Sequence, residues 1–137
     1  MGAIDNAGGP GSAAAPNATD AGMAEVQRLV AAGQLRIEPL MSANLHEGQV
    51  LNWLRVELAP GIAEPAHLHP GSEGIFGIAG RGFVQLDRTD RVPLAPGTFV
   101  RVEPGTVKSL RNDGAEPLVV LALLVLDREQ PPLTVVP

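Results

Sequence analysis

From Gln34 onward apolar and polar residues change places over short runs, and these runs are bounded by Gly, Pro or Asp. That pattern predicts short strands joined by tight turns. The expected strands are Leu35 to Leu40, Val50 to Leu58, Glu64 to His69, Gly74 to Ile78, Gly82 to Asp87, Arg91 to Leu94, Thr98 to Val102, Val107 to Arg111 and Leu118 to Leu126, with a further short one at Leu133 to Val136. Strands at a spacing of roughly 8–12 residues suit a β-sandwich or a jelly-roll barrel, so the fold class is all-β. Ahead of them, Met23 to Ala32 reads as one short helix, with Asp20 as its cap, an apolar stripe of Met23, Val26, Leu29 and Val30, and Gly33 as its end.

The run Leu118 to Leu126 (LVVLALLVL) does not alternate, which implies that both of its faces are covered. A small barrel has only one inside. The outer face therefore needs the N-terminal helix or a second subunit against it, and a homodimer is the favoured expectation because an open apolar strand invites aggregation.

Residues 1 to 22 are small, polar and broken by Gly and Pro, with no period that could bury a face, so they are expected to form a flexible N-terminal tail. Residues 23 to 137 then make a single domain, which suits a chain of 137 residues. With 45% hydrophobic and 18% charged residues, a buried core can form and wholesale disorder is excluded. A net charge of −5, one Trp, three Phe and no Tyr provide neither a basic stripe nor a stacking platform, so nucleic acid is not an expected partner. No stretch has the composition of a signal peptide or the length of a membrane span, so no membrane is expected as a partner and the expected location is cytoplasmic.

The chain has no cysteine, which leaves His, Asp, Glu and Lys to carry chemistry and limits any metal site to nitrogen and oxygen ligands. His67 and His69 lie two apart on a predicted strand and so share one face. Pro70-Gly71-Ser72 then forms a turn that can fold the next strand back and bring Glu73 to the same cavity. Two imidazoles and a carboxylate suit a borderline divalent metal ion such as Fe, Mn, Ni or Zn, with positions left open for a substrate and oxygen. A His-x-His pair on a solvated face, with Glu73 closing a turn, is the plainer alternative. The third histidine, His46, sits in the loop-like stretch MSANLHEG and reads as a solvated loop residue.

The spacing from Gly61 through His67, His69 and Glu73 to Gly80 resembles the first conserved motif of the cupin superfamily. A counterpart of the second motif runs from Gly97 through Pro104-Gly105 to Asn112. The resemblance implies a double-stranded β-helix barrel with a metal held by His67, His69 and Glu73. The family's second motif normally adds a further histidine, and here the matching position is Lys108, the only lysine in the chain. For Lys108 to ligate a metal its amine must be neutral, which at pH 7 costs about 4.6 kcal/mol from an unperturbed pKa near 10.4. As a cation it would instead repel a metal and pair with Glu73.

Three functional expectations follow, the first of them an enzyme acting on a small oxygen-rich organic molecule. In that one, a divalent metal ion on His67, His69 and Glu73 does the chemistry and Lys108 contacts the substrate. In the second, a metal-free cyclase or isomerase uses Lys108 for electrostatic catalysis with Glu73 beside it. A non-catalytic small-molecule-binding module is the third, and the fold itself does not choose among dioxygenase, isomerase, decarboxylase and cyclase chemistry.

Overall fold

The structure is a computed structural model that describes residues 18–127 and 134–135, with side chains from 22 to 127. Most of the expected tail therefore lies outside the described residues. Helix α1 spans Ala18–Ala31, and ten strands follow: β1 Leu35–Asn44, β2 Gln49–Leu58, β3 His67–Leu68, β4 Ser72–Ala79, β5 Gly82–Leu86, β6 Asp90–Leu94, β7 Phe99–Val102, β8 Lys108–Arg111, β9 Leu118–Asp127 and β10 Thr134–Val135. They form two five-stranded antiparallel sheets, one in the order β1-β2-β9-β4-β7 and the other β10-β3-β8-β5-β6. The result is the jelly-roll arrangement that the strand spacing allowed, a sandwich whose two sheets are not joined by hydrogen bonds into a closed barrel. Two of the open edges carry proline, Pro93 in β6 and Pro39 at a bulge in β1, where a missing N–H costs no ladder bond.

The core lies between the inner faces and includes Leu58, Ile75, Val84, Leu94, Leu110, Leu118 and Val120. Strand β9 sits at the centre of its sheet, between β2 and β4, and this explains its apolar run. Its inner residues Leu118, Val120, Ala122, Leu124 and Leu126 are buried. Its outer residues are covered unevenly, for Val119 is buried while Leu123 stands exposed opposite Trp53.

Several local expectations need correction. Helix α1 already includes Ala18, so Asp20 lies inside it and is not its cap. Met23 and Leu29 are buried, but Val30 is exposed and leaves the apolar stripe. Gly33 does end the helix: it takes a φ of +73°, and the Gly33 and Gln34 N–H groups donate to the Val30 and Leu29 carbonyls. The helix packs against β1 and β10 at the sandwich edge. The stretch after Leu40 is not a loop, because the bulge between Pro39 and Met41 restores pairing and carries β1 to Asn44. His46 then sits exposed at the tip of the β1–β2 hairpin, as its sequence context suggested. The strand expected over Glu64 to His69 shrinks to His67–Leu68, since Pro65 and Pro70 lack the N–H a ladder needs.

Candidate functional site

At one end of the sandwich the inner faces turn polar. On one sheet, β4 begins with Ser72 and points Glu73 inward, in register with Leu124 of β9 and Val102 of β7. On the other, β3 and β8 set His67 directly opposite Lys108. Side chains directly opposite across a ladder share a face, so His67 and Lys108 both look toward Glu73. All of the expected site residues, His67, His69, Glu73 and Lys108, are buried and meet here.

The turn that brings Glu73 home depends on Gly71. A Cβ at that position would stand 1.8 Å from the Val125 carbonyl oxygen, so only glycine lets the turn settle against β9. Gly71→Ala is expected to cost about 3 kcal/mol, the upper part of the usual range for overpacking, as read by urea denaturation. A loss below about 1 kcal/mol would show that the turn can move away from β9.

The Lys108 ammonium is the centre of the cluster. Its Nζ lies 3.2 Å from Oε2 of Glu73 and 3.5 Å from Oε1 of Glu64, so one cation ties the two sheets together through two acids. Glu64 is bolted to β8: its N–H donates to the Leu110 carbonyl, its Oε1 accepts the Leu110 N–H at 3.0 Å, and its carbonyl accepts the Ser109 hydroxyl at 2.7 Å. His67 Nδ1 lies 2.9 Å from the Pro65 carbonyl, which makes Nδ1–H the donor and leaves the Nε2 lone pair facing the cluster, 4.0 Å from Glu64 Oε1. His69 Nε2 stands 3.8 Å from Glu73 Oε2, and the two imidazoles meet edge to face with centroids 5.0 Å apart. Oε1 of Glu73 is buried with no hydrogen-bond partner, alone in this among the described residues.

Burial opposes the charge of Lys108, Glu73 and His67, and partners outweigh it only at Lys108. Burial alone would lower the Lys108 pKa, yet the Glu64 and Glu73 carboxylates outweigh it and hold the ammonium above its ordinary value. Burial pushes the Glu73 carboxyl up, and Glu64 adds to the rise while Lys108 opposes it. Burial likewise holds His67 below its ordinary value, with Lys108 adding to the effect against Glu64 and the Pro65 carbonyl. The ammonium form of Lys108 is thus favoured by its partners, while burial disfavours ionisation of Glu73 and protonation of His67.

This donor set does not fit a divalent metal ion as it stands. Donors sharing one small ion at about 2.1 Å lie roughly 3.0–3.4 Å from each other, whereas the two histidine–carboxylate pairs stand 3.8 and 4.0 Å apart. Among the described residues no three His, Asp or Glu side chains form a metal-binding group. The charged ammonium stands beside both carboxylates that such an ion would need.

Glu64 is the site residue that the sequence did not point to. On a continuous strand, positions 64 and 67 fall on opposite faces. Pro65 interrupts the strand and lets both side chains turn inward. A proline inside an apparent strand was the available signal. Asn52 and Arg55 of β2 take opposite faces. Asn52 shares a register row with Leu124 and Glu73 on the inside, and Arg55 pairs with Glu57 on the outside at 3.1 Å.

The remaining motif residues are structural. The Gly61 N–H donates to the Asn112 carbonyl, and Asn112 Nδ2 donates to the carbonyls of Leu58 and Glu116, clamping the ends of the two motifs together. The Gly105 N–H donates to the His69 carbonyl and fixes the second motif's turn against the first.

A jelly-roll sandwich with two motif segments meeting at one polar end defines a class, and comparison with known families agrees with it. The family model described as the cupin domain matches residues 54–124, so the chain belongs to the cupin family. No curated protein matches it by sequence. Among solved structures, a cupin-like protein from Thermotoga maritima is 21% identical with a TM-score of 0.62, covering 74% of this chain and 75% of that one. A Cupin 2 conserved barrel domain protein from Salinispora arenicola is 25% identical with a TM-score of 0.54, covering 66% and 74%. The DMSP lyase DddQ from Ruegeria pomeroyi is 23% identical with a TM-score of 0.57, covering 71% of this chain but 49% of that one. Among the described residues no helix is long and apolar enough to cross a membrane.

Proposed function

We propose that the chain is a small-molecule enzyme of the isomerase or cyclase kind that works without a bound metal ion, with Lys108 as its electrostatic centre and Glu73 as its proton-handling group. The observation that carries this reading is the buried Lys108 ammonium held between Glu73 and Glu64. A lysine has three N–H donors, and two are directed to these carboxylates, so the third is available to a substrate oxygen. In such a reaction a proton leaves the carbon next to a carbonyl, negative charge collects on the oxygen facing Lys108, and the proton returns at another carbon. Nothing is oxidised or reduced. The Glu73 carboxyl, with its unpartnered Oε1 and raised pKa, suits the exchange of that proton. Two acids against one ammonium disfavour an anionic substrate and favour a neutral, oxygen-bearing one.

The test is proton exchange. In deuterium oxide the protein is expected to speed exchange of the carbon-bound protons of dihydroxyacetone, a small neutral hydroxyketone, and Lys108→Met is expected to return the rate to background. Exchange no faster than in buffer, or unaffected by the substitution, would count against the reading.

A metal-dependent enzyme is the second reading, favoured by the convergence of His67, His69 and Glu73 on one end of the sandwich. Elemental analysis after growth in medium supplemented with iron, manganese, nickel and zinc separates the two. The metal-free reading expects far less than one ion per chain, and a content near one would favour the metal.

We also propose a homodimer formed through the outer face of the sheet that holds β9. Two register rows there, Phe99–Phe76–Leu121 and Leu123–Trp53–Met41, are apolar, and Phe99, Phe76, Leu123, Trp53 and Met41 are exposed. A two-fold axis would bury this patch against its own copy. Sedimentation at micromolar concentration is expected to show a dimer that Leu123→Glu converts to a monomer; a wild-type monomer would dispose of the interface.

A further inference from the structure

We infer that the outer face of the sheet that holds β8 carries a second binding site, a cleft for a small dianion such as a phosphate monoester or a dicarboxylate, with Arg88 and Arg111 as its anion-binding residues. The inference is independent of the reading proposed above, because β8 turns Lys108 to the inner face and Ser109 and Arg111 to the outer one.

Charge on this face is segregated. Its two register rows, Arg111–Phe83–Pro93 and Ser109–Gln85–Arg91, hold two arginines and no acid in a chain whose net charge is −5. The Arg91 guanidinium lies over the Phe83 ring at 3.8 Å, which covers the ring and fixes a cation beside the cleft. The cleft itself, about 220 Å³, runs over Val107 and Ser109 between Ala66 and Gln85, with Arg88 and Arg111 on its border. These two stand on opposite sides of the Leu86–Lys108 pair, so their guanidinium groups can approach one anion from both ends. Among the described residues no Asp or Glu lines the cleft. Lys108 borders it as well, but its ammonium is turned to Glu73 and Glu64 on the inner side.

The backbone sets Arg88 in place. Asp87 and Arg88 take φ values of +48° and +63°, a left-handed conformation that suits glycine or asparagine and strains an arginine. The turn is nonetheless firmly held. Gln85 Nε2 donates to the Arg88 carbonyl at 2.9 Å, the Asp87 N–H donates to the Val107 carbonyl, and Asp87 Oδ1 accepts the Val107 N–H at 3.2 Å. Backbone preference therefore does not account for an arginine at this position, and its place beside the cleft does. Guanidinium forks match phosphate and carboxylate oxygens in pairs. Two of them on a cleft of this size suit a compact dianion, since pockets for drug-sized ligands run to roughly 300–1,000 Å³.

The experiment titrates the isotope-labelled full chain with sodium phosphate and, separately, with disodium succinate at pH 7.5 and constant ionic strength, followed by amide NMR and melting temperature. Saturable binding is expected, with shifts centred on Gln85, Arg88 and Ser109 and a raised melting temperature. Arg88→Gly and Arg111→Gln are each expected to weaken it about tenfold. Arg88→Gly should do so without lowering the melting temperature of the free protein, because glycine relieves the left-handed backbone. Arg101→Gln, on the other sheet beside Glu103, is expected to leave the affinity unchanged.

Tighter binding of phosphate assigns the cleft to a phosphate ester, and tighter binding of succinate to a dicarboxylate. No saturable shift with either anion would overturn the inference. Shifts centred on Glu64, His69 and Glu73 would place the anion at the inner cluster and overturn it too. Equal weakening by Arg101→Gln would reduce the effect to non-specific attraction and overturn it as well.

Discussion

Replacing Lys108 by methionine is expected to cost about 3–5 kcal/mol of stability at neutral pH and distinctly less as the pH is lowered. Lys108 is 3% exposed, and its ammonium is the only cation beside the buried Glu64 and Glu73 carboxylates among the described residues. Methionine fills the same length but leaves the two acids uncompensated, and that is the costly half of a buried ion pair. The pH dependence follows from Glu73. Its folded-state pKa already lies above the usual value because of burial, and losing the lowering influence of Lys108 raises it further. A carboxyl with a raised folded-state pKa contributes stability that is full below its unfolded value, near 4.5, and lost as pH rises through the folded one. The deficit of the variant should therefore shrink between neutral pH and about 4.5.

His67 acts in the opposite sense, and less strongly in the variant, because Lys108 contributes to its lowered pKa. Its depressed pKa contributes stability that is present above its ordinary value of 6.5 and lost as pH falls through the folded-state value. The quantity to follow is therefore the difference between wild type and variant, measured by urea denaturation at pH 7.5 and 5.0. A difference that stays constant or grows on acidification would mean that neither the unpaired carboxylates nor the released His67 carries the cost.

Most of the architecture could be read from alternation. The strand positions, the turn at Pro70-Gly71-Ser72 and the inward sharing of His67 and His69 follow from side-chain geometry that is local along a strand. What alternation cannot convey is how segments meet across the sandwich. The pairing of Lys108 with Glu73 was expected from the motif resemblance, but the pairing with Glu64 depends on a break at Pro65 and on contact between residues 44 positions apart in sequence. Strand count sets how many elements there are, while the decision between a barrel and two sheets lies in the edges, where short strands and prolines stop further pairing. The apolar run of β9 was taken to mean two covered faces, yet central position in a sheet already accounts for much of it.

Glu64→Leu is the second substitution with a large expected effect, about 4 kcal/mol of lost stability, and comparison with Glu64→Gln divides that loss into its parts. Leucine removes the carboxylate near Lys108 and also the acceptor of the Leu110 N–H, which is buried inside β8 and has bonded Glu64 Oε1 at 3.0 Å. A buried N–H left without an acceptor costs about 1–3 kcal/mol by itself. Glutamine keeps an oxygen for that N–H and discards only the charge, so it should cost about 2 kcal/mol, moderated by the Glu73 carboxylate that remains on Lys108. In the Lys108→Met background the sign of the glutamine effect should reverse, because Glu64→Gln then removes one of two uncompensated acids and relieves the site. A double-mutant cycle read by denaturation at pH 7.5 measures this directly. Glutamine costs that are equal in the two backgrounds would show that Glu64 supports β8 through its backbone bond alone and does not act on Lys108.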